Sequence, residues 1–90
     1  MTDIGRITKI KHLAEMEASA VNIAFGVGTE EGNFLIKNAV SSFSEHLKGT
    51  KINFIPAMDV EYRVFVVELL SKIEERYKSD SVKSLLFPNI

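Results

Sequence analysis

Val64-Phe65-Val66-Val67 is the tightest constraint in this sequence. With Val60 one turn earlier and Leu69-Leu70 just after, a helix through this segment has no polar face over its N-terminal half. Such a helix must be covered on more than one side. A chain of 90 residues without a cysteine has few means of covering it, because disulfides and thiolate metal sites are both excluded. By size scaling it buries roughly 60–65% of the surface of its unfolded chain. The apolar run therefore asks for a tight core, a second copy of the chain, or both.

Two helices stand out by periodicity. From Thr29 to Lys48, Ile36, Val40, Phe43 and Leu47 recur at spacings of four, three and four, with Thr29 as N-cap, Glu30 and Glu31 at the positive end of the dipole and Gly49 just past the end. The apolar run sits in a second helix, 58–78, which places Val66, Leu70, Ile73 and Tyr77 on one face with Tyr62 and Leu69 beside them. Glu68 to Lys72 and Glu74 to Lys78 have the favourable i,i+4 order. A short fourth helix near 80–86, capped by Ser79 or Asp80 and ended by Pro88, carries Val82, Leu85 and Leu86, and this tail is expected to pack.

The first segment has two periods. Ile7, Ile10, Leu13, Met16, Ala20 and Ile23 or Ala24 follow helical spacing, whereas Val21, Ile23, Phe25 and Val27 alternate as in a strand. The alanines from Ala14 to Ala24 favour a helix over 4–25. The expected fold is all-α, one domain over 1–90, with three main helices (4–25, 29–48 and 58–78) and the short fourth. The alternative is α+β, with strands near 20–27 and 51–55 flanking the central helix in a right-handed crossover.

Eleven Lys and Arg against twelve Asp and Glu leave a net charge of −1, so no bulk field draws the chain to nucleic acid or to an anionic surface. Near neutrality conceals opposed blocks: residues 1–12 carry +2, 13–31 carry −4, 32–51 carry +2, 52–70 carry −2 and 71–90 carry +1. Blocks of this kind suit faces that pair with one another or with a second copy. The N-terminus has no apolar signal region and no window reads as a membrane span, which with the missing cysteines gives a cytoplasmic expectation.

The motifs that carry chemistry are weak. Gly26-Val27-Gly28-Thr29-Glu30-Glu31-Gly32 precedes a helix as a phosphate loop does, but it has no lysine and puts two carboxylates where a phosphate would sit. It reads as an interhelical turn. His12 and His46 have no ligand spacing, so no metal or other cofactor is expected. Ser42 and His46 share a helix stripe without a carboxylate to orient the imidazole, and Glu30/Glu31 and Glu74/Glu75 diverge on helices. The chain therefore reads as non-catalytic.

Two surfaces remain. The excess of apolar residues makes Val64, Phe65, Val67, Ile52, Phe54, Leu85, Leu86 and Phe87 the candidate partner or oligomer interface. This suggests a homo-oligomeric protein-interaction module that regulates or inhibits another protein. The second surface is the polar stripe Lys37, Ser41, Ser44 and Lys48, with Lys51 beyond it, whose lysines and serines suit phosphate oxygens of a nucleic acid or nucleotide. The stripe has no arginine or glutamine, and Asn38 is its one amide placed to read a base edge.

Overall fold

The computed structural model describes residues 4–43, 45 and 59–87. The fold is all-α: α1 (Ile4–Val27), α2 (Thr29–Phe43), α3 (Val60–Lys72), a 3₁₀ turn at Glu75–Tyr77 and the short α4 (Asp80–Leu86). Among the described residues there is no strand. Residues 20–27, whose alternation also fits a strand, are helical through Val27, while residues 51–55 and the extension of α2 toward residue 48 lie outside the described residues.

Helix α1 forms where the sequence places it, but its buried face is rotated so that only part of the expected stripe, Ile10 with Ile7 and Leu13 beside it, faces the core. Its core residues are Ile10, Ala14, Ala18, Val21 and Ala24, and Met16 and Ile23 of the expected apolar stripe point outward at 59% and 72% exposure. Side-chain size explains the rotation. A stripe of alanines lets α2 and α3 approach the α1 backbone closely and both pack along it, whereas the bulkier Met16–Ile23 stripe would hold them away.

Side-chain contacts fix the helix directions. Arg6 near the start of α1 pairs with Glu61 in the first turn of α3, with its Nη2 3.1 Å from Oε1 and its Nε on the other carboxylate oxygen. Asn22 near the end of α1 meets the far end of α3 at Lys72. Helices α1 and α3 therefore run in the same direction. α2 runs against them, since Gly32 at its start lies under Phe25 while Phe43 at its end meets Tyr62 edge-on, ring centroids 5.3 Å apart.

Helix α3 is shorter than its apolar pattern suggests. Asp59 caps its start by accepting the Tyr62 N–H at 2.7 Å. The helix, expected to continue to residue 78, stops at Lys72, and Ile73 takes an extended conformation (φ −73°, ψ 137°). Packing drives the break: it keeps Ile73 buried and turns the chain so that the Tyr77 ring stacks on Phe25, centroids 5.0 Å apart and planes 16° apart. Ser79 then caps α4, accepting the Val82 N–H at 3.2 Å.

The tail closes the bundle. Val82 and Leu86 are buried, α4 packs on α2, and the Tyr62 hydroxyl donates to the Leu86 carbonyl. Tyr62 is the hub of an aromatic cluster with Phe43, Phe65 and Phe87, the last meeting it edge-on at 5.9 Å.

Candidate functional site: the outer face of α3

Asp59 starts α3 and the break after Lys72 ends it, so its rotation on the bundle is set by the buried residues between them. Tyr62, Phe65, Val66 and Leu69 form the inward face. The opposite face carries Val60, Val64 and Val67 at spacings of four and three. Val60 and Val67 are 69% and 68% exposed and Val64 is half-buried. The apolar run is thus divided by helix geometry: two of its residues enter the core, one is shared and one faces outward.

Val60, Val64 and Val67 line a shallow groove of about 380 Å³ together with Lys11 of α1, Arg63 and Glu68. The groove is mainly apolar and its charged residues sit at its edges. Lys11, Arg63 and Glu68 were not assigned to this surface from the sequence. The signal for the last two was present, because Arg63 and Glu68 flank the valines at the positions that border a four-three apolar seam.

The expected interface residues separate accordingly. Val64 and Val67 belong to the groove. Phe65 and Leu86 do not belong to any docking surface: both are fully buried within one chain, Phe65 against Phe43 and Tyr62, and Leu86 beneath the tail. Leu85 is half-buried against the core, and Phe87 is 40% exposed with its ring engaged by Tyr62. Ile52 and Phe54 lie outside the described residues.

A second apolar stripe runs along the outer face of α1, where Met16, Ile23 and Val27 are exposed. Ser19, Ala20, Asn22 and Gly26 surround it. Glu15 and Glu17 border Met16 on this stripe, and Glu15 lies 3.7 Å from Lys72 of α3.

On α2, Lys37 and Ser41 are exposed on the outer face as expected, whereas Ser44, Lys48 and Lys51 lie outside the described residues. Phe34, 60% exposed, occupies the same face one turn before Lys37, and Glu30 lies one turn before Phe34. Among the described residues this stripe therefore offers one cation, one carboxylate and an aromatic ring, which gives a phosphate backbone no excess positive charge to follow.

A polar cleft of about 280 Å³ opens between the start of α2 and the 3₁₀ turn, lined by Phe25, Thr29, Asn33, Arg76, Tyr77 and Lys78 among others. Its cations are paired with their neighbours: Arg76 Nε to Glu74 at 2.9 Å and Lys78 Nζ to Glu75 at 3.3 Å. The glycine motif at the edge of this cleft has a packing role. A Cβ on Gly32 would lie 2.3 Å from the Phe25 ring, so the residue must be glycine for Phe25 to seat between α2 and Tyr77.

His12 is exposed, 4.0 Å from Glu15. Its counterpart His46 lies outside the described residues. Among the described residues no group of three or more His, Asp or Glu is placed to hold a metal ion, and no helix is long and apolar enough to cross a membrane. No protein-family model, curated protein or solved structure matches the chain.

Proposed function

We propose that this protein is a non-catalytic interaction module that self-associates through the outer face of α3, and that acts on other proteins as an assembled regulator or inhibitor. The observation that carries the reading is the Val60–Val64–Val67 seam. Val60 and Val67 add little to the described core, but their exposed surface leaves water when a second helix lies in the groove. The remaining apolar surplus read from the sequence, Phe65 and Leu86 in particular, is spent inside the bundle. The partner surface is therefore smaller than the composition suggests.

The groove offers a two-turn seam, less than the roughly 800 Å² per partner of a standard interface. The association is accordingly reversible and depends on concentration. Sedimentation equilibrium over a wide concentration range tests the reading. The wild-type chain is expected to shift from monomer to dimer mass, Val67→Asp to remain monomeric with its helical circular-dichroism spectrum retained because the site is exposed, and Ile23→Asp to dimerise like the wild type. A monomeric wild type at all concentrations, or a dimer that Ile23→Asp abolishes and Val67→Asp leaves intact, contradicts it.

A further inference from the structure

Building on that self-association through α3, we infer that two copies pair with their α3 helices parallel and in register. Val60, Val64, Val67 and Ser71 then form the shared seam, and Arg63 of each copy faces Glu68 of the other.

The argument is one of register and charge. The spacings of four, three and four from Val60 through Val64 and Val67 to Ser71 are those of the alternating core positions of a two-stranded coiled coil, and the inward residues Tyr62, Phe65, Val66 and Leu69 occupy the positions that face away from such a seam. In that frame Arg63 precedes the core position Val64, and Glu68 follows the core position Val67. When two such helices run parallel, these two flanking positions meet across the seam with an offset of five residues, which is the separation of Arg63 and Glu68 in the sequence. The two-fold axis makes the pair twice.

The antiparallel arrangement of the same seam sets like against like. There, flanking positions of the same type meet, so in the register that sets Val64 against Val67 Glu61 of one copy approaches Glu68 of the other and Arg63 approaches Leu70, which leaves no ion pair across the seam. Glu61 is already held by Arg6 of its own chain, so it is the two Arg63–Glu68 pairs, present in the parallel arrangement and absent from the antiparallel one, that select the parallel register. The small Val side chains suit close approach of two helices. Ser71 ends the seam in a polar residue immediately before the last residue of the helix, Lys72.

Charge reversal separates the two arrangements. In the parallel pair, Glu68→Arg brings Arg63 of one copy against the new arginine of the other and is expected to weaken self-association about tenfold. Arg63→Glu is expected to weaken it similarly. Mixing the two single variants restores both cross-seam pairs, so the mixture is expected to form a heterodimer at least as tight as the wild-type dimer. In the antiparallel pair, Glu68→Arg instead relieves the contact with Glu61 and tightens the dimer. A tightened Glu68→Arg dimer, or a mixture no tighter than its components, overturns the parallel register. If those results occur while Val67→Asp still dissociates the wild-type dimer, the α3 interface stands and only its orientation fails. A wild-type chain that never dimerises overturns both. Circular dichroism of each variant confirms that the helices are retained, since Arg63 is exposed and Glu68 partly so.

Discussion

The side-chain amide of Asn22 accepts the backbone N–H of Glu74 at 3.0 Å, and its Nδ2 donates to the Lys72 carbonyl at 3.1 Å. One side chain of α1 thus joins both sides of the break that ends α3. It serves a donor and an acceptor that the helix no longer satisfies. Asn22→Ala is expected to cost about 1–2 kcal/mol in urea unfolding and to speed hydrogen exchange at the Glu74 amide. Asn22→Asp keeps the acceptor and loses the donor, so it should protect that amide while still destabilising. An Asn22→Ala chain as stable as the wild type, with the Glu74 amide equally protected, would show that packing alone holds the break.

Gly26 and Gly32 respond in opposite directions to alanine. At Gly26, near the C-terminal end of α1, a new Cβ meets only the Tyr77 hydroxyl at 4.0 Å, so Gly26→Ala gains helix propensity and stabilises by about 0.5–1 kcal/mol. At Gly32 the Cβ falls 2.3 Å from the Phe25 ring, which is held by Tyr77 behind it. Gly32→Ala should destabilise by about 1–3 kcal/mol despite the same gain in propensity. Thermal unfolding of the two variants side by side checks the contrast.

Tyr62 makes stability sensitive to alkali. Burial pushes its phenol above the ordinary tyrosine value of 10.0. The folded state holds that proton more tightly than the unfolded chain does, so the stabilisation is intact below pH 10 and is lost as the pH climbs beyond it. The unfolding free energy should fall above that point in the wild type. Tyr62→Phe should start about 1–2 kcal/mol less stable at neutral pH, because the buried Leu86 carbonyl loses its donor, and should lack this component of the alkaline decline.

Much of the fold was legible because helix periodicity and capping are local signals. Ser79 caps α4 as its side chain indicates, whereas Thr29, expected as the cap of α2, is its first helical residue and Gly28 holds the cap position. Two features were not legible, for the same reason. On α1 periodicity groups Met16 and Ile23 with Ile7, Ile10 and Leu13, which do pack on the core, while the choice of the alanine stripe over Met16 and Ile23 depends on how closely α2 and α3 approach. The end of α3 at Lys72 depends on Asn22, fifty residues away from it in sequence. At the candidate site, the sequence identified Val64 and Val67 but grouped them with Phe65 and Leu86, since composition measures a surplus of apolar residues without assigning each to core or surface.

The outer face of α3 as the meeting surface is the central claim, and a dilution series followed by two-dimensional amide NMR tests it residue by residue. As the concentration rises, the amides of Lys11, Val60, Val64 and Val67 are expected to shift together along one binding curve, with Met16, Ile23 and Val27 unchanged. Spectra that do not vary with concentration, or shifts centred on Met16, Ile23 and Val27 with α3 silent, would contradict it.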